Sequence, residues 1–369
     1  MKIVIFGLSI TSSWGNGHAT TYRALARALE ARGHQIVFFE RNQEWYASNR
    51  DMPQPPFCRL HVYETWDEIL PAVHRELADT DVAIVGSYFP DGLRAIEEVF
   101  DSQAEVKAFY DIDTPITVAG LRAGGTAYLK PELIEGFDLY FSFTGGPLLR
   151  ELESSFGARN AVPLYCSFDP DSDRYCAVQS DYVCDLSYMG TFAVDRQAKI
   201  EELFCTPARQ LPEQKFLLAG PQYPQELTWP KNVRRIIHLE PRLHPPFYCS
   251  SRLTLNVTRK EMVSAGYSPS VRLFEAAGCG AAIVSDWWDG LDTFFTPGEE
   301  ILLANSSDDV IRYMTELGAD ELKRIGHKAQ KRVIAEHSAA CRAIEFEEHI
   351  LNTSRGAQVS SQSSVRPLV

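Results

Sequence analysis

No apolar run in the sequence approaches the ~18 residues that a membrane-crossing helix needs, and Met1-Lys2 leads directly into a strand pattern, so neither a span nor a leader is expected. Clustered cysteine is missing as well. The eight cysteines are scattered, with no CxxC pair and no zinc-type spacing, which predicts reduced, packed thiols in a cytoplasmic protein and no metal centre. Positive charge is in deficit: 36 Lys and Arg face 49 Asp and Glu, a formal net charge of −13. That balance excludes nucleic-acid binding as the main business, and leaves room for a local basic site and for peripheral membrane contact. A clean GxGxxG is absent from the first strand–helix junction, so a dinucleotide fingerprint is weak. Short-period repeats are absent too, and the one low-complexity stretch, 352–369, is rich in Ser and Gln and reads as a disordered tail.

What remains is an ordinary globular composition, 45% hydrophobic and 23% charged, in a chain whose 369 residues favour two domains. The apolar strand 2–6 is followed by the loop GLSITSSWGNGH and a helix from Ala19 carrying Tyr22, Leu25, Ala26 and Leu29 at helical spacing. A second strand at 35–39 completes a β-loop-α-β unit, the opening of a doubly wound α/β sheet. Gly15 and Gly17 allow close backbone approach at the helix mouth, where His18 is either a capping residue or a functional one. Glu40 ends the second strand and could reach a ribose in a dinucleotide enzyme, although its companion glycines are imperfect. Further strands are expected at 59–63, 81–86, 106–111 and 138–143. Asp111 and Asp113 lie two residues apart at a strand end, on one side of the extended chain. Three readings compete for them: a helix cap before Pro115, a divalent-cation site, or acceptor-binding and base residues.

Punctuation by Pro, Asp and Ser places an inter-domain linker at 162–183. Strands follow at 185–189, 215–219, 233–238 and 253–257, with Arg259 and Lys260 just past the last of them. These cations are either solvated charge or partners of an anion. A short strand at 301–303 and helices at 306–317 and 320–350 close the pattern. The segment 266–300 organises the whole. Ser268 reads as an N-cap and Pro269 as the first residue of a helix. Leu273, Phe274, Ala276 and Ala277 supply its apolar face, and Gly278 and Gly280 stop it before the strand 281–285. An open helix N-terminus with serine hydroxyls suits a phosphate.

The words PSVRLFEAAGCGAAIVSD, from Pro269 to Asp286, resemble the donor-binding segment of family-4-like GT-B glycosyltransferases. Arg272 before Leu-Phe-Glu, with EEILL further on, looks most like the CgeB-like (spore maturation protein) glycosyltransferases. GNGHATTYRALARALEARGHQIVFFE, YDIDTP, LYFSFTGG and TLNVTR fit the same likeness, which covers the chain to about residue 340. It implies an α/β GT-B architecture, two Rossmann-like domains with parallel sheets facing across a cleft. The acceptor domain would span 1–165 and the nucleotide-sugar donor domain 166–335, with a helix at 336–351 returning to the first domain before the tail.

The resemblance implies a metal-independent transferase that needs no cofactor, takes a UDP- or GDP-type sugar as co-substrate and delivers the sugar to an acceptor hydroxyl in glycan, polysaccharide or glycoconjugate synthesis. Glu275 would bind the donor ribose. Ser268, Pro269, Ser270 and Val271 would cradle the diphosphate, with Arg259, Lys260 and Arg272 offsetting its charge and Gly190 and Thr191 beside them. Gly15, Gly17, Trp288 and Asp289 would contact acceptor or sugar, although adjacent tryptophans also suit packing. The wider family carries a second glutamate eight positions before the first; here Tyr267 stands there. A base on the acceptor side would then come from Asp113, His18 or Asp111. A nucleotide-sugar epimerase or hydrolase, and a non-catalytic sugar-nucleotide-binding subunit, are the competing readings.

Overall fold

The computed structural model describes residues 1–363, and the chain divides into two compact units. Met1–Tyr165 and the chain from Ala340 on form one, and Cys166–Ala339 form the other.

The first unit is built on strands β1 (Lys2–Phe6), β2 (Gln35–Arg41), β3 (Arg59–Tyr63), β4 (Val82–Gly86), β5 (Val106–Asp111), β6 (Leu139–Ser142) and β7 (Ala161–Pro163). They pair in the order β3-β2-β1-β4-β5-β6-β7, and each ladder is parallel. The central strands are continuous apolar runs because helices cover both faces of such a sheet. Val82 to Val85 and Ile3 to Phe6 are all buried. The order reverses at β1 and β4, the place where open α/β sheets gather their ligand-bearing loops.

The second unit repeats the plan with β8 (Cys184–Met189), β9 (Phe216–Ala219), β10 (Val233–Ile236), β11 (Ser251–Asn256), β12 (Ile283–Ser285) and β13 (Leu302–Leu303). Their order is β10-β9-β8-β11-β12-β13, again parallel. Leu186, Leu253, Leu255, Val284 and Phe216 fill the core between this sheet and its helices.

The helix expected at 320–350 is two helices, Ala319–Glu336 and one beginning at Ala339. The break is set by Phe168, whose N–H donates to His337 O at 3.2 Å and whose carbonyl accepts from Ala339 N at 2.9 Å. That strand-like bridge to Ser338 replaces the helical hydrogen bonds at this point. The second of these helices continues to Ser363, so residues 352–363 are helical where the sequence reading starts a disordered tail; 364–369 lie outside the described residues.

Candidate active site

In the second unit the helix Val271–Gly278 begins at Ser270, two residues later than the capping pattern suggests. Ser270 does not cap it. Its hydroxyl donates instead to Asn256 Oδ1 at 2.8 Å, and Ser268 is buried. The hydroxyls expected to meet a phosphate are therefore turned inward; Leu273 N donates to Ser270 O at 3.1 Å, so the Val271 and Arg272 N–H groups are what the helix offers an anion. Leu273 and Phe274 are fully buried and fix the helix on the sheet, each worth about 2 kcal/mol of apolar burial. At the other end Gln330 Nε2 donates to Gly278 O at 2.8 Å, and Gly280 takes φ +74 to turn the chain into β12.

Arg272 is the central finding here. It is 9% exposed, its Nη1 donates to Asn256 Oδ1 at 2.8 Å, and its guanidinium lies 5.1 Å over the Tyr188 ring. Among the described residues no carboxylate pairs with it. A buried cation that lacks a counter-charge is costly, and a helix N-terminus beside it adds to the positive field. Gly190, after β8, is small for this reason: a Cβ there would sit 2.7 Å from Arg272 Nη2. Gly220, at φ +152, in turn brings its backbone against Gly190 O.

Asn256, which the sequence reading missed, is the hub. Its Oδ1 takes both Ser270 and Arg272, while Nδ2 donates to Ser285 Oγ at 2.9 Å. Glu275, one turn into the helix, is 5% exposed, and its Oε2 lies 3.7 Å from His244 Nδ1. Among the described residues it accepts no side-chain hydrogen bond, so its oxygens are open to a ligand hydroxyl.

The other basic residues stand differently. Arg259 caps the helix Lys260–Ala265 and lies 3.6 Å from Asp195 Oδ2, while Lys260 is exposed and gives that same oxygen its backbone N–H at 3.0 Å. Burial opposes ionisation of Asp195, but the Lys260 N–H and the Arg259 charge outweigh it and hold the carboxyl below its usual range. Lys199, also missed, pairs with buried Asp286 at 2.8 Å. Thr191 accepts from Arg196 through its carbonyl. Trp288 is buried against Phe294, centroids 5.8 Å apart, so it packs the core and offers no sugar platform; its neighbour Trp287 is 40% exposed. Asp289 is exposed, and its carbonyl accepts from Tyr267 N at 2.5 Å, which holds Tyr267 at φ +47.

In the first unit the loop after β1 is shaped by Glu40. This fully buried carboxylate accepts from Ser9 Oγ at 3.0 Å, Ile10 N at 2.6 Å, Thr11 N at 3.0 Å and Thr11 Oγ1 at 2.5 Å. Its acceptor capacity is spent on the loop, so it is no ribose ligand. Gly15 turns the loop at φ +58, and Asn16 caps the helix Gly17–Ala31 by accepting from His18 N at 3.0 Å. A Cβ at Gly17 would meet open space.

His18 is thereby fixed with its ring edge on Tyr88, centroids 5.5 Å apart, and Nε2 3.8 Å from Asp113 Oδ2. That separation is too long for a hydrogen bond. Among the described residues the buried His18 Nδ1 meets no hydrogen-bond partner. Tyr88 holds φ +61, a strained setting for an aromatic residue. Asp113 occupies the N-cap position of the helix Thr114–Arg122, yet its side chain caps nothing and stays partly exposed.

Asp111 is different. It is fully buried, accepting from Tyr140 OH at 2.6 Å, Thr117 Oγ1 at 2.8 Å and Asp113 N at 3.2 Å. Burial pushes its carboxyl up to about 6, against the Tyr140 and Thr117 hydrogen bonds. Its contacts set the turn that presents Asp113, and they leave nothing for a divalent cation. Among the described residues no group of three His, Cys, Asp or Glu is arranged to hold a metal ion, and no helix is long and apolar enough to cross a membrane.

Residues 196–348 match the family described as "Glycosyl transferase-like". No curated protein matches the sequence. Solved structures do match. A sucrose-phosphate synthase from Thermosynechococcus elongatus is 14% identical, with TM-score 0.71 over 95% of this chain and 98% of that one. Anabaena HepE, in complex with UDP and glucose, is 12% identical, with TM-score 0.69 over 95% and 100%. A glycosyltransferase from Rickettsia africae is 9% identical, with TM-score 0.67 over 95% and 98%. The chain thus has the two-domain α/β fold of the GT-B glycosyltransferases, and the stretch that is similar to the glycosyl transferase-like family lies mostly in its second unit.

Proposed function

We propose that the chain is a glycosyltransferase of the CgeB-like group that moves a sugar from a UDP- or GDP-type donor to an acceptor hydroxyl. The observation that carries this reading is Arg272, a buried guanidinium with no described carboxylate partner, beside the open N-terminus of Val271–Gly278. A diphosphate supplies the missing negative charge. HepE, of the same fold, is in complex with UDP and glucose, and this supports a nucleotide sugar as the ligand.

In this reading the diphosphate lies on the Val271 and Arg272 N–H groups and on the Arg272 guanidinium, with Arg259 and Lys260 adding longer-range attraction. Glu275 accepts from the ribose hydroxyls. The bond from the anomeric carbon to phosphate oxygen breaks, and the electron pair leaves with the diphosphate. Stabilising that charge is the main electrostatic work, and these residues do it without a metal ion. On the acceptor side, His18 takes the proton of the attacking hydroxyl, and the Asp113 charge offsets the imidazolium that forms. Asp111 is a positioning residue for Asp113. Tyr267, where the wider family has an acid, gives no carboxylate to the sugar.

A thermal-shift panel of nucleotide sugars tests the donor site. A bound donor at 100 times its Kd adds about 2.7 kcal/mol to folding stability, so one nucleotide should raise Tm by several degrees. If no UDP or GDP sugar does, the donor assignment fails. Turnover with and without an acceptor, followed by NMR, separates transfer from epimerisation or hydrolysis, since those reactions consume the donor alone.

A further inference from the structure

The cysteines scattered along the sequence do not all remain apart. In the second unit the Cys249 thiol ends the helix His244–Cys249 and receives the backbone N–H of Cys176 at 3.3 Å. As a thiol it donates to Cys279 O at 3.5 Å, at the C-terminal end of the Val271–Gly278 helix. Through these two contacts Cys176 and Cys279 both adjoin the Cys249 sulfur, so three cysteines 30 to 103 positions apart meet at one place. Cys279 is buried, whereas Cys176 and Cys249 are partly exposed.

We propose that Cys249 and Cys176 form a peroxide-sensitive dithiol, a modification site separate from the sugar chemistry. The geometry divides the roles. Cys249 Sγ receives the Cys176 N–H, a hydrogen bond that favours its thiolate. The Cys279 thiol beside it leads, opposed by burial and aided by Cys176, and brings Cys249 down to about 6. Burial and the adjoining Cys249 charge push Cys176 up to about 11. A thiolate rather than a thiol is the nucleophile, so Cys249 reacts first.

The Cys249 sulfur attacks one oxygen of hydrogen peroxide, the O–O bond breaks and hydroxide departs, leaving a sulfenic acid. The hydroxide takes up the proton that Cys249 had lost. The Cys176 sulfur then attacks the Cys249 sulfur, and the S–O bond breaks as water leaves with the Cys176 proton. Two thiols and one peroxide become one disulfide and two waters. The bond ties the loop before β8 to the helix whose first residue, His244, lies 3.7 Å from Glu275.

Peptide mapping of the full chain tests this after brief treatment with limiting peroxide and blocking of the remaining thiols with iodoacetamide. The expected first product is the linked Cys176–Cys249 peptide pair, reversed by dithiothreitol. Cys58 is the internal control, partly exposed but pushed up to about 12 by burial and the Glu40 charge. In Cys176→Ser the expected product is a Cys249 sulfenic acid that dimedone labels. Oxidation of Cys58 or Cys341 as fast as Cys249 overturns the proposal. So does a Cys249–Cys279 link as the main product, or no disulfide at all in the unsubstituted chain.

Discussion

Arg272 Nη1 and Asn256 Oδ1 are 2.8 Å apart, and that neutral amide is the guanidinium's side-chain hydrogen-bond partner in the described structure. The pairing holds the cation in place without neutralising it. Replacing Arg272 should therefore separate stability from binding. Arg272→Met keeps the length and removes an unpaired buried charge, so the ligand-free Tm should hold or rise. UDP or GDP binding, read by calorimetry, should weaken at least ~10-fold, the loss of about 1.4 kcal/mol. A large drop in ligand-free Tm would mean that the guanidinium is a structural tie, and the anion-site reading would fall.

Glu275 makes a sharper chemical prediction, because a ribose ligand must distinguish ribose from deoxyribose. A hydrogen bond to a charged group is worth about 1.5–3 kcal/mol. The unsubstituted chain should bind a nucleoside diphosphate ~10-fold or more tightly than its 2′,3′-dideoxy form, and Glu275→Gln should erase most of that gap. An equal preference in both chains would remove Glu275 from the ribose role.

The parallel sheets were legible in the sequence because their buried strands are short apolar runs between turn residues, and the helix, turn and strand around Glu275 were legible because Gly278 and Gly280 punctuate them. Long-range pairing was not legible. Asn256 looks like an ordinary strand-end amide until Ser270 and Arg272 are seen on its one oxygen. Glu40 resembles a ribose ligand in linear order, but four donors from the loop at Ser9 to Thr11 occupy it. Trp288 could have faced either way, and only the packing of Phe294 puts it inside. Position in the chain shows which groups are near a strand end, while the tertiary contacts decide which of them remain free to bind.

Glu347, on the last helix, ties that helix to the start of the chain within the first unit through Arg32 and His34, at 2.6 and 2.7 Å. The Arg32 hydrogen bond leads, against burial and with help from His34, in holding the Glu347 carboxyl down at about 2. A carboxyl depressed on folding contributes stability that is full above its unfolded pKa and fades as pH falls towards the folded value. Thermal melts of the unsubstituted chain and Glu347→Gln should differ most above about pH 5 and converge towards pH 2. Arg32 is 41% exposed, so salt should shrink the difference. Melting curves that run parallel across this range would mean that the contact adds no stability.

The last prediction concerns His18 and Asp113, whose 3.8 Å contact is the only place in the proposal where a proton is handled. A base acts in the transition state and contributes ~10²–10⁴-fold to the rate, whereas the proposed donor ligands, Arg272 and Glu275, belong to the second unit. His18→Ala should therefore lower kcat by ~10²-fold or more and leave the Kd for the nucleotide unchanged. Asp113→Asn keeps the shape and removes the charge that offsets the imidazolium, so it should lower kcat by a smaller factor. Asp111→Asn disturbs the turn through Tyr140 and Thr117, and should reduce stability as well as rate. The pattern distinguishes a base from a mere sugar-orienting residue. If His18→Ala raised KM for the acceptor and left kcat intact, His18 would bind the acceptor and the proton would go elsewhere.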